Sequence, residues 1–213
     1  MPSQRHTVST PRRAAGRAAP GATASDDVVL AAAKACVLDV GLRRTTLADV
    51  ARRAGVSRMT VYRRYGDMPS LVSALLTTEL LGLISGADVE VADRPTARER
   101  LVEAVVLVVD RLAEHPLWCR VLELDPELLL PLVFDRFGSS QKAAVELVAG
   151  QVAEGRRDGS MRDVEPALAA TCLLLTAQSF VFSARIVGAA HDRAAVSAEL
   201  RHLLDSYLRP ASS

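Results

Sequence analysis

Aromatic residues are scarce in this 213-residue chain, which has one Trp, three Tyr and four Phe. The hydrophobic share is nonetheless 49%, so the apolar mass is mostly Ala, Leu and Val, and strand-favouring residues are few. An all-α fold is the expectation. Cysteine is scarce too. Cys36, Cys119 and Cys172 stand far apart without a CxxC pair, which excludes a disulfide framework and a zinc site and suits a reduced, cytoplasmic protein. Cys36 and Cys172 read as small buried residues, and Cys119 is the one candidate for a redox thiol. His6, His115, His191 and His202 show no HExxH spacing, no serine lies in a GxSxG turn, and there is no glycine-rich phosphate loop. The expectation is therefore no enzyme, no metal and no cofactor.

The N-terminus has Arg5, Arg12, Arg13 and Arg17 but no apolar run behind them, so no signal peptide is read there. Residues 167–184 reach the length of a membrane span, yet they contain Thr171, Thr176, Gln178, Ser179 and Ser183. A helix buried in protein, with no membrane partner, is the reading.

What the chain does have is charge of one sign at one end. Residues 1–66 hold twelve Lys/Arg against four Asp/Glu, and residues 67–213 hold fourteen against twenty-one, so a net +8 faces a net −7. Such asymmetry is the footprint of a polyanion-binding head on a separate body. Residues 1–24, rich in Pro, Ala, Arg, Ser and Gly without apolar periodicity, read as a disordered basic arm that either enters a minor groove or is unstructured leader.

Helical periodicity starts at Asp27. Val29, Ala33, Cys36 and Val40 share a face and Gly41 closes the first helix, about 27–40. Thr46 caps a second at 47–54, Ser57 a third at 58–65, and Asp67 a fourth that tolerates Pro69 in its first turn. Past Gly86, residues 87–97 read as a loop or domain joint. A helix over about 98–114 follows, with Leu101, Val105, Val108 and Leu112 on one stripe. Pro116, Pro126 and Pro131 predict irregular short helices over 115–138. Helices at 141–157, 164–187 and 192–208 complete about nine.

The segment TTLADVARRAGVSRMTVYRRY, residues 45–65, is the most specific pattern. Two short helices cross steeply only if their contact residue is small and the turn accepts unusual backbone, and Ala51 and Gly55 meet those conditions. Val50, Val56 and Val61 fill the space between, which leaves a basic outer face able to lie in a major groove. With its flanks, GLRRTTLADVARRAGVSRMTVYRRYGDMPSLVSALL resembles the DNA-binding region of the TetR family of regulators, over residues 25–80. The resemblance implies a helix-turn-helix domain, 25–68, and a helical effector-binding and dimerisation domain, 69–213. It implies that Ser57, Arg58, Met59, Thr60, Arg63 and Arg64 face DNA while Thr46 and Tyr62 hold phosphates. Where many members have a lysine early in the fourth helix, this chain has Met68 and Pro69.

The same resemblance implies a homodimer on a palindromic operator, with the last two helices as interface. Leu173, Phe180, Val181, Leu200, Leu203, Leu204 and Tyr207 are the interface candidates, because the helix over 164–187 is apolar all round. A repressor released by an unknown small-molecule effector is the functional expectation. A constitutive DNA binder or activator without ligand is the alternative, and a helical interaction module without DNA function is a further rival. Trp118, Leu122, Phe134, Phe137, Gln178, Phe182 and Arg185 are candidates for the effector pocket. The aromatics among them either line that pocket or form ordinary core. Arg185 binds an acidic ligand, pairs across a dimer, or sits at an exposed helix end.

Overall fold

The computed structural model describes residues 26–124 and 138–211. The expected basic arm, Phe134 and Phe137 lie outside those residues, as do Pro126 and Pro131. Nine helices and no strand occur among the described residues: α1 Asp26–Val40, α2 Leu47–Ala54, α3 Arg58–Tyr65, α4 Met68–Glu90, α5 Ala97–Glu114, α6 Pro116–Leu124, α7 Ser139–Arg157, α8 Pro166–Gly188 and α9 Arg193–Leu208.

Local chemistry sets the first boundaries. Thr46 and Asp49 form a capping box at α2: the Thr46 hydroxyl accepts from the Asp49 N–H at 3.2 Å, and the Asp49 carboxylate accepts from the Thr46 N–H at 3.3 Å. Ser57 caps α3 by accepting from the Thr60 N–H at 3.1 Å, and Asp67 caps α4 by accepting from the Ser70 N–H at 2.8 Å. Between α2 and α3, Gly55 has φ +69° and no atom would meet a Cβ there. Its role is conformational, since side chains disfavour that region.

Three of the differences from expectation have an evident reason, tertiary in the first case and local in the other two. α4 continues four residues past Gly86, because Ala87 is fully buried and packs with Val91 and Ala104 of α5. Pro116 opens a regular nine-residue helix rather than breaking one; at the first helical position its missing N–H has no helical partner to lose. α7 starts two residues early, where the Gln141 side chain accepts from the Gly138 N–H at 2.8 Å. The expected stripe on α5 also divides. Leu101 and Leu112 are buried, while Val105 and Val108 are only half-buried.

One continuous core runs from Val29 in α1 to Leu208 in α9. α4 is its spine, with Leu71 and Leu75 under the first three helices and Leu80 towards the rest. α4 and α8 are both long and apolar enough to cross a membrane by length and composition. In the fold α8 packs against α5 and α7 through Ala169, Ala170, Leu173 and Val181, so it is a core helix on that side.

Leu71 is fully buried and Met59 is 71% exposed. Leu71→Ala should lower the unfolding free energy by about 2–5 kcal/mol. Met59→Ala should change it by less than about 0.5 kcal/mol. Urea unfolding followed by circular dichroism measures both.

Candidate DNA-reading surface and internal cavity

The contact between α2 and α3 is built from Leu47, Val50, Ala51 and Val61, all buried, with Val56 half-buried beside them. That apolar underside turns Arg58, Met59, Tyr62 and Arg63 outward, all exposed. Arg58 and Arg63 have no ion pair or hydrogen bond among the described residues, so both guanidinium groups are available to a partner. Other polar groups of the segment are engaged. The Thr46 hydroxyl donates to Asp49 Oδ2 at 2.6 Å, a bond that holds the Asp49 carboxyl below its ordinary pKa, so any phosphate contact by Thr46 competes with its cap. Ser57 and Thr60 share a hydrogen bond at 2.8 Å.

Arg64 departs most from expectation. Its Nε lies 2.8 Å from Asp26 Oδ1, and the Tyr65 hydroxyl donates to the same oxygen at 2.9 Å. Burial and the adjacent Asp26 carboxylate push the Tyr65 phenol up to about 12. Arg64 thus ties the end of α3 to the start of α1 and is not a free groove residue. Arg52 and Arg53 pair with Asp49 and Asp39. Arg44, missing from the sequence candidates, is exposed in the turn before α2 with no partner among the described residues. Its position two residues before the capping Thr46 was the available signal, because helix N-termini and their flanks meet phosphates. At the start of α4, Met68 is half-buried, and the nearby anionic Asp67 cap would repel a phosphate.

A cavity of about 120 Å³ opens among α4, α5, α6, α7 and α8. Leu80 and Ile84 of α4, Val105 and Val108 of α5 and Val148 of α7 form apolar wall. Trp118, Gln178 and Phe182 line it as well, whereas Leu122 and Arg185 line a second, larger cavity of about 410 Å³ between α5, α6, α8 and α9. Phe182 touches both. The expected pocket residues are therefore divided between two spaces, which share Val109 and Val181 as well as Phe182 in their walls. Arg185 is exposed near the end of α8, the third of the roles open to it.

Comparison with known proteins agrees with this geometry. The profile of bacterial regulatory proteins of the tetR family matches residues 29–75, which span α1 to the first part of α4. An HTH-type transcriptional regulator of Mycobacterium tuberculosis is 40% identical over 180 residues, covering 84% of this chain and 92% of that one. The chain belongs to the TetR family. Among solved structures, the repressor AlkX of a Dietzia strain superposes with TM-score 0.65 at 20% identity, covering 90% of this chain and 96% of its own. FadR of Bacillus subtilis, solved with stearoyl-CoA, gives 0.61 at 19% identity and covers 86% and 99%. The protein is a DNA-binding transcriptional regulator, and as a member of this family it is soluble and cytoplasmic.

In this regulator the seven residues expected at a dimer interface separate into groups. Leu173, Val181, Leu200 and Leu204 are turned into the protomer core. Phe180 and Tyr207 are half-buried, and Leu203 is exposed. The uncovered apolar line on α8 is instead Leu168, Leu175 and Ile186, seven and eleven residues apart and so on one face. Apolar residues on every side of α8 concealed which side meets its own protomer.

A polar cluster joins the head to the cavity wall. Glu79 Oε2 of α4 accepts from Lys34 of α1 at 2.6 Å and lies 3.1 Å from Nε2 of His115, the residue between α5 and α6. His115 Nδ1 is buried without a hydrogen-bond partner among the described residues, which suits a neutral ring with its proton on Nε2. Burial lowers the His115 pKa below its ordinary value, Glu79 opposes that shift, and Lys34 adds to it. With the folded pKa depressed, the unfolded chain binds the extra proton first. The His115 contribution to stability is then intact above about pH 6.5 and declines as pH falls below that value. A fall in Tm between pH 7.5 and 5.5 that is smaller in His115→Gln is the expected result.

Proposed function

We propose that the regulator is a homodimeric repressor whose hold on a palindromic operator is released by a small molecule bound in its helical body. The supporting observation is the course of α4. Its first turns pack under α1 and α3 through Leu71 and Leu75, and its last turns supply Leu80, Ile84 and Asp88 to the cavity. A ligand that prefers one position of α4 changes the position of the reading helix by the same displacement. The Lys34–Glu79–His115 cluster adds a second link, because His115 stands three residues before Trp118 of the cavity wall.

In this reading residues 25–68 are the reading head and residues 69–213 the effector and dimer body. Arg58, Arg63, Met59 and Tyr62 contact DNA on α3, Ser57 and Thr60 orient its N-terminus on a phosphate, and Arg44 holds the backbone beside α2. Dimerisation covers Leu168, Leu175 and Ile186 of α8 together with Leu203 of α9, apolar side chains exposed in the single chain. It also sets two recognition helices at the spacing of successive major grooves. The work takes place on the nucleoid. FadR of Bacillus subtilis, a relative in fold, is known in complex with stearoyl-CoA.

Binding to the promoter of its own gene tests the proposal. Arg58→Ala should weaken operator binding by about 1–3 kcal/mol, read by fluorescence anisotropy. Arg44→Ala should reduce the salt slope by about 1 through loss of one phosphate contact. Arg64→Ala should act mainly on thermal stability, through Asp26. Operator affinity insensitive to Arg58→Ala, or a salt slope near zero, would remove the DNA-reading assignment.

A further inference from the structure

We infer that the cavity among α4 to α8 takes a neutral, lipophilic molecule bearing one hydrogen-bond acceptor, of the ester or ketone type. The inference rests on the effector reading above and names the chemistry that the effector must have. Most of the wall is aliphatic: Leu80, Ile84, Val105, Val108, Val148 and Leu174 bring only carbon. Such a surface gains most from an apolar ligand that leaves water.

Five neutral polar residues interrupt this wall, Trp118, Ser140, Gln141, Gln151 and Gln178; Gln141 is bonded to the Gly138 N–H and Gln151 to Asp88. Trp118 is 7% exposed, and its indole N–H is buried without a hydrogen-bond partner among the described residues. A buried donor without an acceptor is unfavourable, and a ligand carbonyl would relieve it. The Gln178 side chain, also in the wall, has no hydrogen-bond partner among the described residues. It offers a donor and an acceptor to the same ligand group. Both belong to residues whose aromatic or aliphatic parts fit an apolar site, yet neither polar end has a partner among the described residues.

Charge selects against ions. No Lys, Arg or His occurs among the described residues lining the cavity. Among the described residues its one ionisable group is Asp88, whose Oδ1 accepts from Gln151 Nε2 at 3.0 Å. A carboxylate ligand would enter without a counter-charge and meet an anion of the same sign, a costly burial. A cation would have to displace the Gln151 bond to reach Asp88. The cations nearest in kind, Arg185 and Arg193, line the second cavity instead.

Three probes with one ten-carbon chain separate the chemistries: methyl decanoate below its solubility limit, and decanoate and decyltrimethylammonium below their micelle concentrations, titrated into the full-length protein by calorimetry. Methyl decanoate should bind at least tenfold tighter than either ion. Trp118 is the single tryptophan of the chain, so its emission should shift on ester binding. Trp118→Phe, which keeps one aromatic ring but loses the five-membered ring with its N–H, should weaken the ester about fivefold. Gln178→Leu provides an independent variant with similar volume and should also weaken it.

Equal or tighter binding of decanoate or of the cation overturns the inference, as does unchanged ester affinity in both variants. Ester binding that leaves operator affinity unaltered would defeat the repressor-release reading and leave the cavity assignment standing. A protein that binds operator but no ester would defeat the cavity assignment alone.

Discussion

The twenty-three residues of α4 join the reading head to the cavity as one hydrogen-bonded rod, about 34 Å long at 1.5 Å per residue. Its one proline, Pro69, sits in the first turn where the backbone loses nothing. Downstream, the i to i−4 ladder is unbroken through Gly82 and Gly86 to Glu90. A displacement imposed at Leu80, Ile84 and Asp88 therefore reappears at Leu71 and Leu75, beneath α1 and α3. The other connections depend on this rod. Glu79 can bind Lys34 and His115 together only because α4 passes between α1 and the junction of α5 with α6. Ala87 closes on Ala104 and Val91 only because the helix is still regular at that point.

The body is clamped around the rod by polar pairs that fix how its helices sit. Arg201 of α9 holds Glu103 of α5 with two bonds, at 2.7 and 3.1 Å. Gln151 of α7 holds Asp88 of α4 at 3.0 Å. Bidentate and charge-assisted bonds of this kind are directional in a way that aliphatic packing is not. The Gln151–Asp88 bond lies in the wall of the smaller cavity.

The two ends of the chain were not equally legible before the structure. α2 and α3 begin and end where Thr46, Gly55 and Ser57 indicate, since caps and left-handed turns act within four residues of themselves. Arg64 was not legible, although it shares the recognition helix with Arg58 and Arg63. Its partner, Asp26, is thirty-eight positions away and is brought close only by the packing of α1 against the head. Leu173, Val181, Leu200 and Leu204 had the same difficulty. A helix apolar on all sides satisfies the pattern of a core and of an interface equally, and only the position of α5 assigns these residues inward and Leu168, Leu175 and Ile186 outward.

What the sequence by itself determined is the helix-turn-helix, from Ala51 and Gly55 at the turn to the outward Arg58 and Arg63, because its chemistry is contained in twenty neighbouring residues. Tertiary structure decided which aromatic and polar side chains share a cavity. Trp118 and Gln178 meet across sixty positions, while Arg185, only seven residues beyond Gln178, belongs to another space. The physical reason is that a cavity exists only between helices, and its lining follows their rotation and crossing. Those are set by the whole core at once and by no segment alone.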